Sequence, residues 1–507
     1  MADTEQQRRR QADESVMTWP AQPVIYEVNT AVWLDALSRT AGRPVRFADV
    51  SDADWDAIAP AGADAVWLMG VWERSAAGLT VAKANSALMA SFRDALPDLE
   101  DDDIIGSPYC IRSYVADARF GGRDGLAAAR SALAARGMRL VLDYVPNHVA
   151  PDHAWVDQHP ERFITGQAAD ITDHPDAWMQ VGSSVLAHGR DPYFPPWPDV
   201  VQLNAFSPEL RAATADTLAD IAAQCDGIRC DMAMLMTNNV FAKTWGAWSG
   251  PEPPEEFWPL VIASLRSEHP DTVLIAEAYW DLEWELQQQG FDFCYDKRLY
   301  DRLLGGDVEG LRGHLRADVG YQSRLLRFLE NHDEPRVASR TAPEVARAAA
   351  VVIATLPGAT LWHEGQFEGR TVRPPVFLSR RPDEIADVEG AAWYAGLLSS
   401  VANSEMRDGS WQLLEVTGWP DNQTCRDLLA WAWTHERSER RQVVVVNLSP
   451  AAAQGRVRIP GLDPHDRTCR VTDILQRVRF DRSGDELAGP GLFVALPPWE
   501  FHVLEVD

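Results

Sequence analysis

Eight short apolar runs recur along the chain, each tipped with polar residues and set apart from the next by enough residues for a helix. This alternation constrains the fold more than any other feature. The runs are 24–30, 65–72, 139–145, 227–232, 273–279, 291–296, 326–333 and 359–366. Helical spacing fills the gaps, as over 125–136, where Gly137 follows as a stop, and over 208–224. Strands alternating with helices pair in parallel through right-handed crossovers, and eight such units predict a (β/α)8 TIM barrel, an α/β fold. Polar residues at the C-terminal strand ends would then meet on one rim, where barrels of this kind place their chemistry.

Four of these ends carry charge in an informative pattern. The fourth reads Gly-Ile-Arg-Cys-Asp, so Arg229 and Asp231 share a face of the strand. A cation beside a carboxylate favours its ionised form, which predicts a lowered pKa and a competent nucleophile at Asp231. On this reading Arg229→Ala would raise that pKa and leave the fold largely intact. The third run continues as Asp-Tyr-Val-Pro-Asn-His (143–148), the fifth as Ala-Glu-Ala-Tyr (276–279) and the seventh as Glu-Asn-His-Asp (330–333). Glu277 follows four apolar residues and precedes Tyr279 and Trp280, so partial burial is expected to raise its pKa into the range of a general acid.

In this order and spacing the four segments resemble the short sequence regions of the α-amylase family, the clan of retaining α-glycosidases and transglycosidases. The resemblance implies Asp231 as nucleophile, Glu277 as general acid/base and Asp333 as a third acid that binds sugar hydroxyls more tightly in the transition state. Arg229, His148 and His332 would contact the same sugar, while Asp143 and Asn147 would fix the geometry from behind. The segment Ser-Pro-Tyr-Cys-Ile-Arg-Ser-Tyr (107–114) resembles the family's aromatic segment after strand two, which makes Tyr109 a stacking platform for a sugar face. Cys110 stands where chain-end-acting members carry an aspartate that grips the terminal glucose, so strict selection of a non-reducing end is not expected. Met234 and Leu235 replace a Lys-His pair of many α-amylases, which implies an apolar acceptor side.

The resemblance also divides the chain. Residues 1–23 read as a tail or a short helix, and 24–405 as the barrel. The long, aperiodic stretch 150–206 reads as a short inserted B domain after strand three, and the β-rich stretch 406–507 as an antiparallel C-terminal sandwich. No cofactor is required by this reading. Calcium stays open, because Asn147 and Asp199 sit at positions resembling calcium ligands. The implied activity is retaining hydrolysis or transfer on α-linked glucosides, and the alternative is a noncatalytic carbohydrate-binding or interaction protein on the same barrel.

Composition narrows the partners. With 507 residues and a formal charge of −28, the chain has no basic field for nucleic acid or an anionic membrane, and carbohydrate is the expected partner. The N-terminus has no apolar segment after its arginines, and no apolar run reaches about 18 residues, so a cytoplasmic protein without membrane spans is expected. Six scattered cysteines read as small buried hydrophobes. Oligomeric state stays open.

Overall fold

The computed structural model describes residues 19–435, 440–459, 461 and 467–507. Most of the expected N-terminal tail, 1–18, lies outside the described residues. Eight strands close into a parallel barrel in chain order: β1 (Val24–Asn29), β2 (Ala65–Met69), β3 (Arg139–Tyr144), β4 (Gly227–Cys230), β5 (Val273–Ala276), β6 (Phe293–Tyr295), β7 (Leu325–Arg327) and β8 (Ala359–His363). The last strand pairs back onto the first, with Val24 opposite Thr360.

The period of two sorts the side chains. Ile25, Trp67, Val141, Ile275 and Leu361 fill the barrel interior, while Val24, Val66, Leu68, Leu140, Ile228 and Leu274 face the surrounding helices. Strands buried on both faces read as nearly unbroken apolar runs, which is why they stand out in the sequence. Among the exceptions on the inner face are Glu27, Asp143 and Arg229, at 0%, 2% and 1% exposure. They sit in the layers directly beneath the rim.

Every barrel strand ends earlier than expected, and two stop where the chain turns to present a site residue. β4 ends at Cys230, and Met232 adopts a left-handed φ of 43°, a conformation uncommon for a residue with a side chain. β7 ends at Arg327 rather than at 333. The Asn331 side-chain oxygen accepts hydrogen bonds from the backbone N–H groups of Asp333 (2.9 Å) and Glu334 (2.8 Å), folding that stretch into a turn.

After β3 the chain builds a four-stranded antiparallel sheet in the order His148–Val149, Trp197–Gln202, Ser184–Gly189, Trp178–Val181. Its Trp197–Gln202 strand pairs with His148–Val149 and so brings the insertion onto the barrel rim. Beyond the barrel lie a six-stranded and a three-stranded sheet, both antiparallel. The strand Leu428–Thr434 alternates between two cores: Leu428, Ala430 and Ala432 face the second sheet, while Leu429, Trp431 and Trp433 pack toward the barrel. Trp431 and Trp433 both donate their indole N–H to the Thr355 carbonyl, at 3.0 and 2.8 Å. That carbonyl belongs to the last turn of the helix Pro343–Thr355, where helix carbonyls lack intrahelical partners. The sandwich is thereby fixed to the barrel.

Candidate active site

Arg229 is the centre of the rim. Its Nη1 lies 2.7 Å from Asp231 Oδ1 and 3.5 Å from Asp143 Oδ1, and its Nη2 lies 2.6 Å from Glu277 Oε2. The rings of Trp67, Tyr109 and Tyr295 surround the guanidinium at 5.2, 5.5 and 5.7 Å. A fully buried charge is tolerated when paired and hydrogen-bonded on every side. One guanidinium fork holding both Asp231 and Glu277 makes them near neighbours, as a carboxylate pair about 5 Å apart in a retaining site must be.

Glu277 follows β5 directly. Its Oε2 accepts from the backbone N–H of Met232 at 2.7 Å as well as from Arg229, and its Oε1 accepts from the Tyr279 hydroxyl at 2.8 Å. The left-handed turn at Met232 aims that N–H at the carboxylate. Burial, only partly offset by Arg229, and the charges of Asp231 and Asp333 push the Glu277 carboxyl up to about 7, as its apolar flanks led one to expect. With Oε2 committed to two donors and Oε1 to one, Oε1 is the oxygen with room to carry the proton.

Asp231 departs from expectation. Burial outweighs the opposing pull of Arg229, Asp333 adds its repulsion, and the carboxyl sits above its ordinary range rather than below it. The ion pair was legible from the strand period, but its burial was not. The same burial argues against the expectation that Arg229→Ala would leave the fold largely intact. Arg229→Ala would strand three carboxylates without their shared cation, and breaking a buried ion pair costs about 3–5 kcal/mol. We expect a lower denaturant midpoint by circular dichroism, together with an acid limb of activity displaced to higher pH. Unchanged stability would show that the pairing matters less than its geometry indicates.

Asp333 is the most open of the three acids, with its side chain 48% exposed. Burial would raise its carboxyl, but His332, whose Nε2 is 3.0 Å from Oδ2, brings it below the usual range. His332 is itself buried, yet Asp333 on one side and Glu27 on the other hold its pKa well above the ordinary value. The ring therefore stays protonated and donates from Nδ1 to Glu27. Tyr109 stacks on it at 5.3 Å between centroids, its hydroxyl 2.7 Å from His332 Nε2. His148 packs against Trp197 at 5.2 Å, and burial lowers its pKa to about 4, which keeps it neutral. Asp143 is held by the Trp67 indole N–H and the Gly70 backbone N–H, both at 3.2 Å.

Asp231, Glu277 and Asp333 line one cleft of about 250 Å³ together with Tyr109, His148, Trp197, Asp199, Met232 and Phe377. Met234 and Leu235 do not line it; at 0% and 4% exposure they are turned into the core. Met232 is the apolar residue on the wall.

The oxygens around Asn147 do not fit calcium. The side-chain amide of Gln202 donates to Asn147 Oδ1 (2.9 Å), the Asn147 carbonyl (2.9 Å) and the Leu203 carbonyl (3.0 Å). Its own oxygen accepts from Asn147 Nδ2 (3.3 Å) and from the Arg190 backbone N–H (3.2 Å). Converging carbonyl oxygens are what a hard cation selects, and here a fully buried amide occupies the point where they converge. Asp199, expected beside Asn147, lines the cleft instead. Among the described residues no cluster of three or more His, Cys, Asp or Glu could hold a metal ion.

Sequence reasoning missed Glu27, Tyr295 and Gln202, and read Tyr279 only as a flank that buries Glu277, not as its hydrogen-bond donor. Glu27 had a signal, a lone acid on the inward face of an apolar strand. The other three are ordinary residues whose roles depend on register.

No protein-family model matches the chain. An α-amylase from Haloarcula japonica is 28% identical over 292 residues, 54% of this chain and 40% of that protein. An α-1,4-glucan:maltose-1-phosphate maltosyltransferase from Burkholderia pseudomallei is 26% identical over 202 residues, 38% of this chain. The match spans only 15% of the maltosyltransferase, so both curated relatives extend well beyond it. Among solved structures, a noncanonic maltogenic α-amylase from Thermotoga neapolitana superposes with a TM-score of 0.68 at 19% identity, covering 96% of this chain and 98% of that one. The cyclic α-maltosyl-(1→6)-maltose hydrolase of Arthrobacter globiformis gives 0.65 at 18% identity, covering 96% and 99%. At such identities the structural likeness speaks to the fold alone. Together with the sequence relatives and the four strand-end segments meeting on one rim, it supports the resemblance to the α-amylase family.

Proposed function

We propose that the protein is a retaining glycoside hydrolase or transglycosidase acting on α-linked glucosides. The observation that carries this reading is the single buried guanidinium that holds Asp231 and Glu277 side by side at the mouth of a cleft whose third acid is Asp333. Asp231 attacks the anomeric carbon while Glu277 delivers its Oε1 proton to the departing oxygen, leaving a β-glycosyl ester on Asp231. Water or a sugar hydroxyl then gives its proton to Glu277 and attacks the ester carbon. Asp333, kept ionised by His332, and Arg229 stabilise the positive charge and the carboxylate that appear in each transition state.

The test is stereochemical. Proton NMR of α-glucosyl fluoride turnover should show the α anomer of glucose first. Initial β-glucose would mean inversion and overturn the retaining assignment. No turnover of the fluoride, maltose, malto-oligosaccharides, sucrose, trehalose or isomaltose would favour the noncatalytic reading.

The proposal includes no cofactor and no calcium. Because Gln202 fills the position among the Asn147 and Leu203 oxygens, dialysis against EDTA should leave both Tm and activity unchanged, as read by scanning fluorimetry and the fluoride assay. A Tm loss restored by calcium would show that a metal binds after all. No helix among the described residues is long and apolar enough to cross a membrane. All six cysteines are free and buried, in keeping with the cytoplasmic location proposed here.

A further inference from the structure

The cleft contains a fourth carboxyl group that the chemistry above does not use. Asp199 lies on the Trp197–Gln202 strand of the inserted sheet and is only 9% exposed, yet it lines the same cleft as the three acids. Among the described residues no side chain and no backbone N–H of another residue bonds its carboxylate. The hydrogen bond made to it from elsewhere among the described residues is that of the Cys110 thiol, which donates at 3.0 Å to its backbone carbonyl and leaves the side chain alone. Its nearest company is the small apolar cluster of Cys110, Ala150 and Val200, with Trp197 packed against it. No cation among the described residues is within ion-pair distance of it, in a protein that pairs most of its other buried acids: Glu27 with His332, Asp296 with Arg327, Glu330 with Arg336.

A buried carboxylate with no counter-charge, and only its own backbone N–H as donor, is costly and is not retained for stability. Where such a group faces a substrate cleft, its missing partner is supplied by the ligand, and losing the ligand's hydrogen bond is then heavily penalised. The cleft is narrow. At about 250 Å³ it falls below the roughly 300–1,000 Å³ of sites that enclose a drug-sized molecule, so it has room for about one hexose ring.

Building on the glycosidase reading, we propose that Asp199 is a specificity-determining residue that accepts hydrogen bonds from two hydroxyls of a single terminal glucosyl unit, so that the enzyme acts at chain ends and on short α-glucosides rather than within a chain. A carboxylate offers two oxygens and about four lone-pair sites, enough for two neighbouring hydroxyls at once. A chain continuing through the donor sugar would have to replace one of those hydroxyls with a glycosidic oxygen, which cannot donate. This reverses the expectation drawn from Cys110: the thiol holds the backbone of the residue that supplies the charge.

The experiment compares wild type with Asp199→Asn and Asp199→Ala on three substrates: α-glucosyl fluoride, maltoheptaose with a free non-reducing end, and cyclomaltoheptaose, which has no end. Wild type should turn over the first two and leave the ring intact. Both variants should lose kcat/KM on the first two by at least about 100-fold, the scale of two lost charge-assisted hydrogen bonds. Their Tm should be equal to or higher than that of wild type, because a buried unpaired charge has been removed, and that combination is the signature of a group kept for function. Cleavage of the ring by wild type at a rate like that of the linear substrate, or kcat/KM in both variants within about threefold of wild type, would overturn the inference while leaving the glycosidase reading intact. A fall in Tm paralleling the loss of activity in both variants would assign Asp199 to structure and overturn it too. Wild type inert on all three substrates would instead defeat the glycosidase reading, and this inference with it.

Discussion

Asp231→Ala is expected to abolish hydrolysis and transfer alike, on good and poor leaving groups, with kcat lowered by roughly five orders of magnitude or more, as when other catalytic nucleophiles are removed. The argument rests on position. Asp231 is held by Arg229 at 2.7 Å, and its backbone N–H is anchored to the Tyr144 carbonyl at 2.8 Å, so the carboxylate has little freedom to be anything but the group facing the substrate. Stability should not fall with activity. Burial raises the Asp231 pKa above its unfolded value, so whatever stability the group contributes is present below the unfolded pKa and is lost as pH rises through the folded one. At neutral pH, then, its removal should leave Tm unchanged or raise it, and Arg229 keeps Glu277 and Asp143 as partners. A variant that hydrolyses α-glucosyl fluoride at a rate near wild type would remove Asp231 from the role of nucleophile.

What the sequence conveyed, and what it withheld, follows from which forces act locally. The barrel was legible because each strand is buried on both faces and therefore appears as an uninterrupted apolar run, from 24–30 through 359–366. The pairing of Arg229 with Asp231 was legible because two residues apart on a strand means one face. Its consequence for pKa was not, since depth of burial is set by Trp67, Tyr109 and Tyr295 closing over the guanidinium from three other segments. Met234 and Leu235 were expected to face the acceptor side, but the left-handed backbone at Met232 rotates the chain so that they point inward. Whether Asp199 stands beside Asn147, as a calcium ligand would, could not be read from the sequence for a similar reason. Asp199 and Gln202 lie three residues apart on one strand, but the pairing with Ser184–Gly189 slips between Val201 and Trp197, so a strict period of two does not carry from one to the other. The strand presents Gln202 to Asn147 and turns Asp199 toward the cleft, and only the register of that strand against His148–Val149 decides which residue reaches which neighbour.

Glu277→Ala should behave differently from the nucleophile variant, and in a way that reports the mechanism. Wild-type activity depends on the proton held at Oε1, and with the carboxyl raised to about 7 the rate should decline as pH rises through that value, because the ionised form cannot assist departure of the leaving group. In Glu277→Ala that alkaline limb should disappear. Activity on glucosides with poor leaving groups should fall by roughly 10²–10⁴-fold, the scale of general acid–base catalysis. Activity on α-glucosyl fluoride should suffer less in the first step, since fluoride departs with little protonation. Glu277→Gln gives the control for packing: its amide oxygen can still accept from Arg229 and the Met232 N–H, yet it carries no transferable proton. Both variants form the β-glucosyl ester on Asp231 and then stall, because no base remains to activate water. Azide is small enough to enter the space left in Glu277→Ala and needs no deprotonation, so adding it should restore turnover. Attack by Asp231 inverts the anomeric centre once and attack by azide inverts it again, so the product should be α-glucosyl azide. If the β azide is isolated instead, azide has displaced fluoride directly, no ester was formed, and Asp231 does not act as a nucleophile.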